Sequence, residues 1–238
     1  MKYIKMGSTF LLEKLFPNVC VMCDKVALTS LCETCKKKVV YMKEPRCFKC
    51  GKMLAEKERE YCLDCQKEER FFEAGRSIWI HKSPVAESIY RFKYKNRRVY
   101  AKRYAQEFME LYMKELSEWK IKLIVPIPLY NERKRKRGFN QAELIGQEIS
   151  EQLGIPMKAD FLKRVKKTKP QKLLSHHERK ANLNGAFEAN AQILSRGNIL
   201  LVDDIYTTGA TMNMAAKVMK EAGAQKVFFF TISIGQGF

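Results

Sequence analysis

The stretch ILLVDDIYTTGAT, residues 199–211, combines an apolar run, two adjacent acids and a turn rich in threonine and glycine. The apolar run predicts a buried strand, and residues 208–222 predict a helix that ends at Gly223. Backbone N–H groups at a helix N-terminus lack partners and carry the positive end of the helix dipole, so the turn suits a phosphate dianion. The acids Asp203 and Asp204 suit the hydroxyl groups of a diol, or a bound Mg²⁺. A phosphate beside a vicinal diol describes a ribose 5-phosphate.

Strand and helix patterns alternate along the chain before and after this stretch. The segments GRSIWIHK, KLIVPIP (122–128) and KVFFFTISI predict further strands, and NQAELIGQEISEQLG predicts an amphipathic helix closed by Gly154. This alternation indicates an α/β fold with a mostly parallel sheet and right-handed crossovers. In such sheets ligands bind at the carboxyl ends of strands, where the two acids lie.

A long helical pattern runs from Val85 to about Trp119. It is predicted to begin with Ser83 as N-cap and Pro84 as the first helical residue, and to be interrupted at Asn96. Its apolar positions are expected to face the core, and these are Ile89, Phe92, Val99, Phe108, Leu111 and Tyr112.

All eight cysteines lie in the first 65 residues, as the four pairs CVMC, CETC, CFKC and CLDC. Two residues between thiolates allow both sulfurs of a turn to reach one metal ion, and two such turns complete a tetrahedron. The spacing therefore predicts two closed, structural zinc sites. Sequential pairing is preferred, and an interleaved arrangement stays open. The expected ligands are Cys20, Cys23, Cys32 and Cys35 for one ion, and Cys47, Cys50, Cys62 and Cys65 for the other.

Disulfide bonds are the competing interpretation of these cysteines. No signal-peptide pattern precedes them, and four repeated CxxC pairs are typical of metal sites rather than of a disulfide framework. No apolar run approaches the length needed to span a bilayer, so a cytoplasmic location is expected.

The net charge of +19 is carried entirely by residues 1–180, while residues 181–238 are neutral. Such a basic surface predicts a polyanionic partner, although scattered lysines also occur on ordinary solvated surfaces.

The chain divides into an expected zinc module, residues 1–68, and an α/β domain, residues 69–238. Residues 66–72 read as the linker between them. Residues 163–184 read as an exposed loop.

The segment VDDIYTTGAT closely resembles the phosphoribosyl pyrophosphate (PRPP) signature of type I phosphoribosyltransferases. The resemblance covers about residues 75–238 and implies a type I phosphoribosyltransferase-like sheet flanked by helices, with PRPP and its Mg²⁺ as ligands. The acids would hold the ribose hydroxyls, the turn would hold the 5-phosphate, and the loop after KLIVPIP would face the pyrophosphate. The expected PRPP-binding residues are Asp203, Asp204, Tyr206, Thr207, Thr208, Gly209, Ala210, Thr211, Leu129, Tyr130, Arg133 and Arg137.

A wider pattern is similar to the ComF family of bacterial competence proteins. It consists of the four CxxC pairs, PIPLYNERKRKRGFNQ, KTKPQKLLSHHERKANLNGAF and VDDIYTTGAT, and it spans nearly the whole chain. This resemblance implies a role in DNA uptake and natural transformation. It also implies, as partners, a helicase-type competence ATPase (ComFA-like) and a recombination mediator, which would dock on the zinc module.

Two basic segments are candidates for contact with single-stranded DNA. RFKYKNRRVYAKRY (91–104) interleaves cations with aromatic rings that can stack bases, although its rings also fit the core face of a helix. RKRKRGFNQ (133–141) carries five consecutive cations, which suit diphosphate, a nucleic-acid backbone or a solvated helix start. The expected nucleic-acid-binding residues are Arg91, Lys93, Lys95, Arg97, Arg98, Lys134, Arg135 and Lys136.

Two functions therefore compete. The first is a single-stranded DNA-binding protein whose phosphoribosyltransferase-like domain also binds PRPP. The second is a Mg²⁺-dependent phosphoribosyltransferase with an unknown acceptor; no catalytic residue is assigned. Only GQGF follows the last strand, which is too little for an acceptor-binding hood. The loop that begins at residue 163 is the remaining candidate for a hood, although it lacks the acidic or apolar residues expected to recognise a nucleobase. Its residues Lys163, Arg164, Gln171 and Arg179 are expected to fold over the ligand as a lid, and His176 and His177 are assigned no role.

Overall fold

The computed structural model describes residues 18–166, 185–190 and 197–236. Its helices are α1 (Glu33–Lys36), α2 (Leu63–Lys67), α3 (Val85–Tyr94), α4 (Tyr100–Trp119), α5 (Asn131–Arg137), α6 (Gln141–Leu153) and α7 (Ala210–Glu221). Its strands are β1 (Ala74–Ile80), β2 (Ile121–Pro126), β3 (Leu162–Arg164), β4 (Phe187–Ala189), β5 (Asn198–Tyr206) and β6 (Val227–Ile234). None of these helices is both long and apolar enough to cross a membrane.

Four parallel strands form the central sheet in the order β1-β6-β5-β2. Every residue of β6 is buried, because this strand pairs on both sides and is covered on both faces. Alternate residues of β5 enter two different apolar layers: Leu200 and Val202 pack with α3, α4 and α6, and Ile199 and Leu201 pack with α7. The predicted parallel sheet flanked by helices is confirmed.

The long helical pattern is divided in two, as predicted at Asn96, whose φ of +52° is left-handed. Two details were wrong. Pro84 is the N-cap of α3 rather than its first helical residue. Val99 and Leu111 are exposed, at 61% and 42%, and Val99 lies in the break itself, before the first residue of α4.

The cysteine-rich module packs against the edge strand β1 rather than standing apart. Backbone bonds join Met42 N–H to the Ile78 carbonyl and Ile80 N–H to the Val40 carbonyl, at 3.0 and 2.9 Å. Cys20, Cys32 and Cys35 lie beside α3 and α4 in one apolar layer, and the second four cysteines lie in the layer of α7. The module therefore covers a sheet edge that would otherwise present unpaired backbone groups.

The linker predicted at residues 66–72 is wrong, because α2 occupies its start and Phe72 is fully buried. The loop predicted at residues 163–184 is wrong at its start, where β3 pairs with β4 in an antiparallel ladder. Residues 167–184, which include the predicted lid residues Gln171 and Arg179 and the histidines His176 and His177, lie outside the described residues.

Gly75 lies where β1 meets the ring of Phe229. A Cβ added there would be 2.0 Å from that ring. We therefore expect Gly75→Ala to displace packed core side chains and to lower the free energy of unfolding by about 1–3 kcal/mol or more. Gly235→Ala is the control, because its Cβ would meet its nearest atom at 3.7 Å. Denaturant unfolding of both variants checks this, and equal stability would contradict the packing at Gly75.

Candidate functional site

A cavity of about 1050 Å³ opens at the carboxyl ends of β5 and β2. Two acids, Asp203 and Asp204, lie on one wall. The cations that line it come from four parts of the fold, and they are Lys93, Arg98, Arg133, Lys136, Arg137 and Arg164. The other predicted residues found there are Thr207 from the turn after β5, Thr211 from the first turn of α7, and Leu129 after β2. The cavity thus brings together the two acids, part of the turn that is predicted to hold a phosphate, and residues of both basic segments.

The two acids have different electrostatic environments. Lys93 Nζ lies 2.7 Å from Asp204 Oδ2, and both side chains are largely buried. Asp203 instead accepts a hydrogen bond from the Asp204 backbone N–H at 2.8 Å. Burial, together with the neighbouring Asp204 charge, raises the pKa of Asp203 to about 7. Near neutral pH, Asp203 is therefore able to exchange a proton, while Asp204 is held as the partner of a lysine.

The turn after β5 has the geometry of an anion site. Gly209 is the N-cap of α7 and has a φ of +82°, and no side chain caps this helix. A Cβ on Gly209 would lie 2.1 Å from the Tyr206 hydroxyl, so a side chain there would require the loop to shift. Within the described part of the chain, the buried Thr208 hydroxyl has no hydrogen-bond partner. The backbone N–H groups in the first turn of α7 offer donors to a phosphate, and Thr207 and Thr211 bring hydroxyl groups to the cavity beside them.

Aromatic rings and guanidinium groups form the rim of the cavity. The Arg137 guanidinium lies over the Tyr94 ring at 4.9 Å from its centroid, and donates to the Tyr94 hydroxyl at 2.9 Å. Tyr90 lies one turn before Tyr94 on α3, and the two ring centroids are 5.0 Å apart. Arg98 lies over Phe139 at 4.7 Å. The rim therefore presents flat, partly exposed groups next to positive charge.

Some predicted ligand residues lie elsewhere. The Tyr206 side chain is 1% exposed and stacks on Phe229, beneath the turn rather than in the cavity. Ala210 is the first residue of α7, and neither it nor Thr208 lines the cavity. Tyr130 lines a second, adjacent cavity of about 520 Å³.

Several cations predicted to bind nucleic acid make contacts within the protein. Arg91 donates to the carbonyls of Val21 and Met22, at 3.2 and 2.6 Å, so it fastens the first cysteine group to α3. Arg97 lies 3.2 Å from Asp24. Lys134 pairs with Glu143 at 2.8 Å beside the second cavity. Lys95 and Arg135 are exposed and lie outside the larger cavity.

Several residues that line the cavity were not predicted from the sequence, and His81 and Phe139 are two of them. His81 follows β1 directly, and its Nδ1 lies 2.9 Å from the buried Ser233 hydroxyl. Its position at the carboxyl end of a parallel strand is the signal that identifies it in retrospect. Phe139 packs between α3 and the start of α6. Arg164, predicted as part of a lid, reaches the cavity from β3 instead, and burial and the neighbouring Arg133 lower its pKa.

The cysteines assemble as two groups of four. In each group the sulfurs lie within 4.8 Å of one another, with Cys20, Cys23, Cys32 and Cys35 in one and Cys47, Cys50, Cys62 and Cys65 in the other. This confirms sequential pairing over the interleaved arrangement. Four thiolates at this separation fit a closed tetrahedral zinc site, which is structural because no position is left for a substrate.

The second cysteine group lies on the side of the turn after β5 that faces away from the cavity. Cys47 and Cys50 share an apolar cluster with Tyr206, whose ring lies below the turn, and Arg70 donates to the Asp64 carbonyl, beside Cys65, at 2.9 Å. Asn213 of α7 adds a second link, accepting from Phe71 N–H and donating to the Glu69 carbonyl, both at 2.8 Å. The position of the turn therefore depends on the metal module as well as on the sheet.

The raised pKa of Asp203 predicts a pH-dependent stability. Between about pH 4 and 7 the folded protein keeps a proton that the unfolded chain releases, so stability falls as pH rises through this range. Asp203→Asn removes this dependence and retains the acceptor for Asp204 N–H. We expect a melting temperature at pH 8 higher than that of the wild type by on the order of 5 °C, and no difference at pH 5.

Thermal unfolding at both pH values checks this, with exposed Asp160→Asn as the control. A variant that is less stable than wild type at pH 8 would mean that the Asp203 charge is fully compensated in the folded protein.

Comparisons with known proteins match both parts of the chain. The family described as "Double zinc ribbon domain" matches residues 11–66, and "Phosphoribosyl transferase domain" matches residues 140–233. Adenine phosphoribosyltransferase from Saccharomyces cerevisiae is a similar solved structure, at 18% identity over 56% of this chain and 68% of that one. Its TM-score is 0.36, which is too low to bear on function.

Curated relatives cover most of the sequence. Competence protein F of Haemophilus influenzae is 31% identical over 87% of this chain and 93% of its own length. Competence protein ComFC of Bacillus subtilis is 29% identical, with 85% and 83% covered. DNA utilization protein YhgH of Salmonella typhimurium is 26% identical, with 89% and 94% covered. The chain therefore belongs to the ComF family, in which a double zinc ribbon is joined to a phosphoribosyltransferase domain.

Proposed function

We propose that the protein binds single-stranded DNA during DNA uptake in the cytoplasm, and that the cavity beyond β5 binds PRPP or a related ribose phosphate. One observation carries this proposal: a single cavity joins an acid pair, an uncapped helix N-terminus and six cations. The acids suit ribose hydroxyls, and the helix end suits a 5-phosphate. The remaining cations suit a pyrophosphate or further phosphates.

The rim of the cavity supports contact with single strands. Tyr90 and Tyr94 are 55% and 54% exposed, and Arg98 and Arg137 lie beside the cavity. Aromatic rings that stack bases, next to cations that follow phosphates, are typical of single-strand binding. The names of the relatives, two of them competence proteins and one a DNA utilization protein, agree with this role.

Zinc would be structural, and Mg²⁺ would accompany PRPP. Asp203 and Asp204 offer the carboxylate oxygens that Mg²⁺ prefers, although Lys93 already pairs with Asp204 at 2.7 Å. Mg²⁺ would therefore be held mainly by the oxygens of the PRPP itself. Its chemistry would be to neutralise the pyrophosphate.

The zinc module supports the proposed docking of a helicase-type competence ATPase and a recombination mediator. It exposes Val26, Leu28 and Phe48 at 69%, 94% and 55%. Apolar side chains exposed on a small metal-stabilised module favour contact with other proteins. These partners would dock away from the cavity, because none of the three residues lines it.

The second candidate is a phosphoribosyltransferase that transfers phosphoribose from PRPP to an acceptor. The bond between ribose C1 and the pyrophosphate oxygen would break, the acceptor would bond to C1, and pyrophosphate would leave toward Arg133. His81 favours this candidate, because it lines the cavity from the end of β1, on the far side of β6 from the acids, where it would contact an acceptor.

Charge reversal at the rim tests DNA binding. We expect the double variant Arg98→Glu, Arg137→Glu to weaken binding of a labelled single-stranded oligonucleotide at least about tenfold. It should also lower the slope of affinity against salt by about two, since two phosphate contacts are lost. Exposed Lys122→Glu, outside the cavity, is the control. Anisotropy at several salt concentrations, against a duplex competitor, measures both quantities. Unchanged affinity in the rim variant would reject this surface as the DNA site.

Calorimetry with PRPP and Mg²⁺ tests the ribose phosphate site. Asp204→Asn should weaken PRPP binding about tenfold or more, because a charged hydrogen bond to a ribose hydroxyl is lost. Asp160→Asn should bind PRPP as the wild type does.

A pyrophosphate-release assay with nucleobases and single-stranded DNA distinguishes the DNA-binding protein from the phosphoribosyltransferase. Release that is abolished by Asp204→Asn would establish the transferase. If the wild type does not bind PRPP, the cavity is neither a ribose phosphate site nor the active site of a phosphoribosyltransferase.

A further inference from the structure

We propose that this cavity binds the 3′ end of a single DNA strand, with the terminal nucleotide's free 3′-hydroxyl against the acid pair Asp203 and Asp204. This inference rests on the proposed function, because it assigns the strand and the ribose phosphate to the same site. The nucleotide's own phosphate would lie at the turn before α7, and the preceding nucleotides would follow the cationic and aromatic rim.

The size and charge of the cavity exceed the needs of one ribose phosphate. Its volume of about 1050 Å³ is at the upper end of the range of about 300–1000 Å³ typical of sites for drug-sized ligands. Among its described lining residues, six Lys and Arg side chains face two carboxylates, an excess of four positive charges. This excess suits a chain of phosphates rather than a single small anion.

The rim continues from the cavity along the exposed face of α3. Tyr94 lines the cavity beneath the Arg137 guanidinium, and Tyr90 is the next ring outward, 5.0 Å from Tyr94 between centroids. Both rings are more than half exposed. Successive rings at the mouth of a phosphate-binding cavity provide places for successive bases to stack. A strand can therefore enter the cavity and remain in contact outside it.

The acid pair determines which part of a strand can enter. An internal nucleotide carries a phosphodiester on its 3′ oxygen, and above about pH 7, where Asp203 is ionised, this negative charge would lie against two carboxylates. A terminal nucleotide offers a neutral hydroxyl that donates a hydrogen bond to a carboxylate oxygen instead. Lys93 forms an ion pair with Asp204, and Asp203 forms no ion pair among the described residues, so its carboxylate is the less compensated of the two. The turn before α7, where Thr207 lines the cavity, is left for the phosphate on the 5′ side.

The test compares three forms of one single-stranded sequence with the zinc-loaded full chain: linear with a 3′-hydroxyl, linear with a 3′-phosphate, and circular. We expect the 3′-hydroxyl form to bind at least about tenfold more tightly than the other two, because only it avoids like charge at the acids. PRPP should displace the 3′-hydroxyl form and leave the weaker binding of the circular form unchanged. Anisotropy of internally labelled strands measures all three.

A variant series makes the test specific to the acids. Asp204→Asn should strengthen binding of the 3′-phosphate form and bring the ratio between the two linear forms close to one. Asp160→Asn should keep the wild-type ratio. The wild-type comparison of strand ends needs no variant, so misfolding of Asp204→Asn would not remove the test.

Two negative results have different meanings. Equal binding of hydroxyl, phosphate and circular forms by the wild type would overturn end recognition and leave single-strand binding intact. Absence of binding by every form at low salt would overturn the proposed function itself, and end recognition with it.

Discussion

The charge of two adjacent carboxylates, Asp203 and Asp204, is the constraint on which the site depends. Two acids side by side at the end of a buried strand repel one another and lose solvent, and both effects must be offset. Lys93 supplies a counter-charge from α3, and the Asp204 backbone N–H supplies a hydrogen bond to Asp203. Arg164 adds positive charge from β3, and Arg133 from α5. Residues from distant parts of the sequence therefore supply positive charge around the two carboxylates.

The same constraint explains why the cavity is open to ligands. Internal compensation is incomplete, since the pKa of Asp203 stays raised to about 7. A ligand that donates a hydrogen bond to this carboxyl therefore gains more than it would from a surface carboxylate, because the group is already desolvated. The cavity is also more positive than the acids alone require, so phosphate is favoured beside the hydroxyl.

Local sequence predicted the features that depend on local chemistry. The strand ILLVDDI, the turn YTTGAT and the sequential cysteine groups all follow from residues within a few positions of one another. The failures concern long-range contacts. Arg91 reads as a DNA-binding cation, and its bonds to Val21 and Met22 cross about 70 residues that no local pattern connects. Tyr206 belongs to the segment that resembles the PRPP signature. Its ring packs beneath the turn because it stacks on Phe229 of β6, a contact that the local sequence does not reveal.

The zinc module was predicted as a separate unit, and its integration into both apolar layers could not be predicted from spacing. Thiolate spacing specifies the metal site and says nothing about what the outside of the module contacts. Strands β3 and β4 were also missed, because three residues each give too short a pattern for alternation to be recognised. Arg164 therefore appeared to belong to a loop, and its place in the wall of the cavity follows only from the pairing.

The docking of the first cysteine group onto α3 and α4 has a consequence for biosynthesis. Its contacts join residues far apart in sequence: Val21 with Ser88, Ser30 with Arg103, and Asp24 with Tyr100, separated by 67, 73 and 76 positions. The ribosome completes the zinc ribbon well before it makes those helices. Until they emerge, bound metal is the main force that orders the nascent ribbon, and its apolar side has no partner. Zinc supply during translation therefore bears directly on the yield of folded protein.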